Sequence, residues 1–151
     1  NISFADMIVP GTCPDNYTIN RTWTAVDSCT NSRICLQVIT VQDTTRPVIT
    51  CPRDTTINCE IDPITANTGG IATATDNCTN VVTNISFADM IVPGTCPDNY
   101  TINRTWTAVD SCTNSRICLQ VITVQDTTRP VITCPSDTTI NCDVMPSPSI
   151  T

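Results

Sequence analysis

Residues 1–52 recur without a single change as residues 84–135, an offset of 83. After one difference, Arg53 against Ser136, the match resumes and 54–59 returns as 137–142. A period of this length is too long for a solenoid coil and suits one small domain that folds by itself. The 151 residues hold just under two periods, so the chain reads as a section of a tandem array. Such arrays serve reach or multivalency, and an enzyme rarely needs its whole fold copied in series.

A unit this small has little core and often needs covalent support. Within one full period the cysteines fall at Cys51, Cys59, Cys78, Cys96, Cys112 and Cys118, an even set. The total of 11 is odd, as expected of a chain that opens part-way through a period. Even cysteine numbers at fixed spacing read as a disulfide framework formed in an oxidising compartment. A zinc site is the weaker alternative: the chain has no histidine and no CxxC pair, the usual ligand pattern.

Six cysteines allow fifteen connectivities. Sequence-local pairing is the expectation: Cys112 with Cys118 (and Cys29 with Cys35), Cys134 with Cys142 (and Cys51 with Cys59), and Cys78 with Cys96. Cys13 would then be the lone unpaired thiol. The alternative joins the first strand of a unit to its last through Cys51 and Cys118, a clamp across the whole domain.

Composition favours strands. Threonine and valine outnumber alanine and leucine, and Glu60 is the one glutamate. Residues 99–109 alternate: Tyr100, Ile102, Arg104, Trp106 and Ala108 on one parity, Asn and Thr on the other. This predicts a half-buried strand with the aromatic face inward. Arg104 on that face is expected near the sheet edge or stacked on Trp106. Val81, Thr83, Ile85 and Phe87 form a second inward parity. Residues 117–124 are apolar on both parities, as in a central strand or a bulged one. Residues 71–75, 131–134 and 138–142 are predicted as further short strands. No stretch has a 3.6-residue period with caps. The fold class is therefore all-β, a sandwich of short strands.

Arg46-Pro47 and Arg129-Pro130 punctuate the array, since proline ends strand pairing and holds the residue before it extended. The predicted divisions are a C-terminal half-unit at 1–46, a complete unit at 47–129, and the first strands of another at 130–151. Linkers this short favour a semi-rigid rod.

Several motifs together resemble the hyalin-repeat (HYR-like) module, found in tandem in secreted and cell-surface proteins, particularly of Bacteroidota. They are Thr75-Asp76-Asn77-Cys78, the Val92–Cys96 stretch with Pro93 and Gly94, the stretch from Arg104 through Trp106 to Cys112, and the stretch from Ile122 through Pro130 to Cys134 and Pro135. The resemblance implies immunoglobulin- or fibronectin-like sandwiches, extracellular placement, and a role in adhesion or as a stalk. It implies no catalytic residues. The family's usual turn glycine is replaced by Thr113 and Asn114, with Asn114 the candidate for a left-handed conformation.

The net charge is −7, all seven basic residues are arginine, and lysine is absent. Nucleic acid and anionic membrane are poor partners for such a surface. With no histidine or lysine the ordinary general bases are missing, and no catalytic residue is assigned. Seven Asn-x-Ser/Thr sequons are candidate N-glycan acceptors: Asn1, Asn16, Asn20, Asn77, Asn84, Asn99 and Asn103. Thr44, Thr55, Thr127 and Thr138 follow aspartates in Asp-Thr-Thr triplets and are candidate O-glycan acceptors, or plain turns before strands. Asp15, Asp27, Asp43 and Asp98 are oxygen ligands in type, but their spacing matches no calcium loop, so no cofactor is expected. The expected function is structural, a self-associating extracellular fibre or adhesin stalk, with a carbohydrate- or protein-binding module as the alternative.

Overall fold

A computed structural model describes residues 1–78 and 82–144, apart from the side chain of Thr83. The described chain is all-β, with no α-helix. Three long strands, β1 (Ile2–Pro10), β2 (Tyr17–Val26) and β3 (Ser32–Val41), form an antiparallel sheet. Two short strands follow, β4 (Val48–Thr50) and β5 (Thr55–Asn58), then a single 3-10 turn at Thr65–Asn67 and strand β6 (Thr73–Thr75). The copy of the first three strands closes the described chain: β7 (Val82–Pro93), β8 (Tyr100–Asp110) and β9 (Ser115–Gln125).

Identical sequence gives identical pairing. Ile2 faces Ala25 as Ile85 faces Ala108, and Tyr17 faces Val41 as Tyr100 faces Val124. The two sheets differ in what covers them. Segment 47–75 lies over the second: β4 pairs with β6 as a two-stranded sheet, and β5 joins β9 in parallel to give the order β5-β9-β8-β7. Ile57, Ile102, Ile122 and Val124 make the core cluster, flanked by buried Trp106, Ala108 and Ala72. Among the described residues, no such segment pairs with β1–β3. Trp106 is 1% exposed, while its twin Trp23 is only half-buried.

The predicted inward parity of β8 holds. Ile102, Arg104, Trp106 and Ala108 are all buried, and their neighbours are half-buried. β9 is the central strand, between β5 and β8, with no register shift against β8. Its second apolar parity stays outside, with Ile117 and Leu119 exposed. Ile85 is half-buried as predicted. Phe87 packs on Trp106 with ring centroids 5.0 Å apart, but β7 is an edge strand and leaves the ring partly open. Val81 lies outside the described residues.

Three expectations are corrected. Arg104 is neither at the edge nor stacked on Trp106. It is 2% exposed, with its guanidinium 4.4 Å from the centre of the Phe87 ring. It donates to both carboxylate oxygens of Asp89 at 2.8 Å, to Thr68 Oγ1 at 2.9 Å and to the Pro63 carbonyl at 2.9 Å. A buried cation needs this full set of acceptors. Second, residues 131–134 and 138–142 form no strand, and Val131 is 96% exposed. Their twins are strands through pairing with β6 and β9, and no described strand pairs with 131–134 or 138–142. Third, Asn114 is not the left-handed residue. Thr113 is, at φ 71°. The Asp110 carboxylate accepts the backbone N–H groups of Cys112 and Asn114, both at 2.8 Å, and the Asn114 side-chain amide at 2.9 Å. That clasp fixes Asn114 and moves the positive φ onto its neighbour.

Candidate functional site

Carboxylates, hydrogen bonds and a disulfide gather where one copy of the repeated sequence meets the next. Three stretches converge there: the β1–β2 loop (11–16), the segment after β3 (42–47), and the tip of the β8–β9 hairpin (110–115). Cys13 is bonded to Cys112 with Cα atoms 5.3 Å apart, across 99 residues of chain. Ser111 Oγ donates to Asp15 at 3.1 Å, and the Asn114 amide donates to the Asp43 carbonyl at 3.3 Å. Asp43 is anchored in turn: its N–H donates to Asn16 Oδ1 at 2.6 Å, and its own Oδ1 accepts the Thr45 N–H at 3.0 Å.

The second disulfide joins Cys51, just after β4, to Cys118 in β9. It is the first-to-last clamp, not the local alternative. These bonds overturn the local scheme. Cys13 is paired rather than lone, and Cys112 and Cys118 bond to other partners. Extended strands explain this: Cys112 lies in the hairpin tip and Cys118 lies four register pairs into β9, opposite Trp106. Cys29, Cys35, Cys59, Cys78, Cys96, Cys134 and Cys142 are unbonded, so the expected pairs Cys29–Cys35, Cys51–Cys59, Cys78–Cys96 and Cys134–Cys142 do not form either.

Carboxylates crowd the junction. One ligand atom each from Asp15, Asp43 and Cys112 lie within 4.8 Å of one another, and so do those from Asp43, Asp76 and Cys78. Asp43 belongs to both groups. Burial pushes the Cys78 thiol up from its usual range, and the negative charges of Asp43, Asp15 and Asp76 add to it. Of the aspartates singled out in the sequence, the fold brings Asp15 and Asp43 together. Asp27 is engaged in its own loop, accepting from Cys29 and Asn31, and Asp98 is exposed in the second copy. Asp76 was missed. Its signal is the Asp76-Asn77-Cys78 stretch of the family-like motif, which places a carboxylate two residues before a cysteine.

Among the sequons, Asn1, Asn77 and Asn84 are exposed, while Asn16, Asn20, Asn99 and Asn103 are half-buried. Asn16 and Asn99 lend their side-chain oxygens to the N–H groups of Asp43 and Asp126, each at 2.6 Å. Thr44, Thr127 and Thr138 are exposed, and Thr55 is half-buried in β5. Two disulfides are the chemistry of an oxidising compartment. No helix among the described residues is long and apolar enough to cross a membrane. Compared with protein-family models and with curated proteins, the chain matches none.

Proposed function

We propose that this chain is a structural repeat of an extracellular fibre or adhesin stalk, made of immunoglobulin-like, HYR-like sandwiches joined head to tail. The observation that carries this reading is the Cys13–Cys112 bond, which ties the loop of one copy to the hairpin tip of the next. A covalent staple between successive beads fixes their orientation, and shape rather than chemistry becomes the product. The open inner face of β1–β3 supports the same view. A groove of about 570 Å³ beside Trp23, lined by Ile2, Ala25 and Cys35, lies on a sheet whose twin is covered by segment 47–75. A preceding unit, or a second copy, would supply that cover. Exposed sequons and Asp-Thr-Thr turns are the places where glycans would shield the rod.

This reading also accounts for every cysteine. Advanced by 83 residues, the two observed bonds assign Cys96 and Cys134 to partners in a following unit. Moved back by 83, they assign Cys29 and Cys35 to a preceding one. Cys59, its twin Cys142, and Cys78 are left. The Cys59 N–H donates to the Gln125 carbonyl at 3.0 Å, one residue before Asp126. Cys78 Sγ lies within 4.8 Å of a carboxylate oxygen of Asp43, the twin of Asp126. The two therefore approach the same aspartate from opposite sides of a junction, and Cys59 of one unit pairs with Cys78 of the next.

A chain of three complete periods, expressed into an oxidising compartment, tests the proposal. Non-reducing peptide mapping should give the Cys59-to-next-Cys78 linkage, and electron microscopy should give straight rods whose length grows in proportion to unit number. Separate flexible beads, or a mapped Cys112–Cys118 pair, would defeat it. Stoichiometric binding of a specific glycan without rod formation would favour an adhesion module.

A further inference from the structure

We infer that Asp43 and Asp76, with Asp15 beside Asp43, form a binding site for one calcium ion at the junction. The site lies wholly within this chain and does not depend on fibre formation. Asp43 is 6% exposed and Asp76 8%. Each uses one carboxylate oxygen in its own turn: Asp43 Oδ1 accepts the Thr45 N–H, and Asp76 Oδ2 accepts the Cys78 N–H at 3.3 Å. Among the described residues, nothing donates a hydrogen bond to the other oxygens, Asp43 Oδ2 and Asp76 Oδ1, which are buried. Among the described residues, neither aspartate meets an arginine. Two buried carboxylates this close repel each other, and an unpaired buried charge is costly. A cation between them removes both penalties at once.

The donor set selects the ion. Three carboxylates are hard oxygen ligands, suited to calcium or magnesium. Calcium accepts irregular sets of six to eight oxygens completed by carbonyls and water, whereas magnesium demands a near-ideal octahedron. Cys112 is held in its disulfide, which leaves the unbonded Cys78 thiol, within 4.8 Å of Asp43 and Asp76, as the soft donor that the zinc control below tests.

The repeated sequence supplies an internal control. Asp126 makes the same turn as Asp43, its N–H donating to Asn99 at 2.6 Å and its Oδ1 accepting the Thr128 N–H at 2.8 Å. Yet Asp126 and Asp98 are exposed, and among the described residues no carboxylate stands beside Asp126 as Asp76 stands beside Asp43. The site is completed only where one unit follows another.

The test uses the whole oxidised chain, stripped with chelator and titrated with calcium chloride by calorimetry. One ion per chain should bind, with Kd on the order of 10⁻⁴–10⁻³ M as in extracellular modules, and calcium should raise the thermal midpoint. Asp43→Asn and Asp76→Asn should each weaken binding by roughly tenfold or more, the loss of one ligand charge. Asp126→Asn and Cys78→Ser should leave it unchanged. Near-UV circular dichroism checks folding, and Asp15→Asn, on a surface loop, serves should a buried variant fail to fold. No stoichiometric binding at millimolar calcium, equal weakening by Asp126→Asn and Asp43→Asn, or binding of zinc alone that Cys78→Ser abolishes would each overturn the assignment.

Discussion

Asp89→Asn and Asp6→Asn are the same substitution made twice in one molecule, and their outcomes should diverge. Both aspartates clasp an arginine through Nε at 2.8 Å. The Asp89 partner, Arg104, has a side chain only 3% exposed, against 25% for Arg21. Neutralising Asp89 strands a buried guanidinium, with Thr68 Oγ1, the Pro63 carbonyl and the Phe87 face as its remaining support. Breaking a fully buried pair costs about 3–5 kcal/mol. Asp89 is itself 30% exposed, so water reaches one side and roughly 2–3 kcal/mol is the expected loss. For a unit of this size that corresponds to a fall of about 10–20 °C in the thermal midpoint. Asp6→Asn, on the uncovered sheet, should leave that midpoint unmoved. Near-UV circular dichroism during heating reads both, with Trp106 as the buried reporter. Equal shifts for the two variants, or a loss below about 0.5 kcal/mol for Asp89→Asn, would refute the argument that burial sets the strength of this pair.

Thr113→Gly should raise the midpoint, because a β-branched residue at φ 71° carries about 1–2 kcal/mol of strain that exceeds glycine's added entropy in the unfolded chain; about 0.5–1 kcal/mol net gain is expected, and a lower midpoint would contradict it. Paired Cys51→Ala and Cys118→Ala substitutions open a loop of 67 residues, worth about 4.4 kcal/mol by chain entropy; urea unfolding should register most of it, and a loss under about 1 kcal/mol would count against the clamp. The Asp27 carboxyl is held below its ordinary 3.8, first by the Asn31 side-chain amide and then by the Asn31 and Cys29 N–H groups, against opposing desolvation. Since its folded value is depressed, its contribution to loop order is present above 3.8 and is lost as the pH falls through that lowered value. Asn31→Ala should bring the carboxyl back toward 3.8 in an NMR titration, and an unchanged titration would remove the amide as the cause.

What the sequence disclosed was the part that depends on near neighbours. The alternation of β8 set its buried face, and the double apolar parity of β9 marked a central strand. What it concealed depends on partners far along the chain. Residues 48–50 and 131–133 are the same Val-Ile-Thr, yet only the first is a strand, because only it has β6 beside it. The local cysteine scheme failed for the same reason. Loop-closure entropy favours short loops only while the chain is free; once β8 and β9 are extended, Cys112 faces the neighbouring copy and Cys118 faces β4. Arg104 was misplaced because alternation gives a face but not a depth, and the covering segment that supplies Thr68 and Pro63 lies some forty positions away. Asp76 was passed over because its carboxylate acquires meaning only beside Asp43.

The two disulfides also decide how a fibre of such units would carry tension. Force entering at Pro47 and leaving at Gln125 can run along four residues to Cys51, across the bond to Cys118, and along seven more. The residues between the two cysteines are bypassed and cannot be extended, while β9 from Cys118 to Gln125, with its pairing to β5 and β8, stays in the load path. Unravelling that hidden stretch of 67 residues would release roughly 230 Å, at about 3.4 Å per extended residue. Pulled singly in a force spectrometer, an oxidised unit should withhold that length and a reduced one should yield it. Release from the oxidised unit would mean that the Cys51–Cys118 bond does not close the loop in the working fibre, and the mechanical reading of the clamp would be wrong.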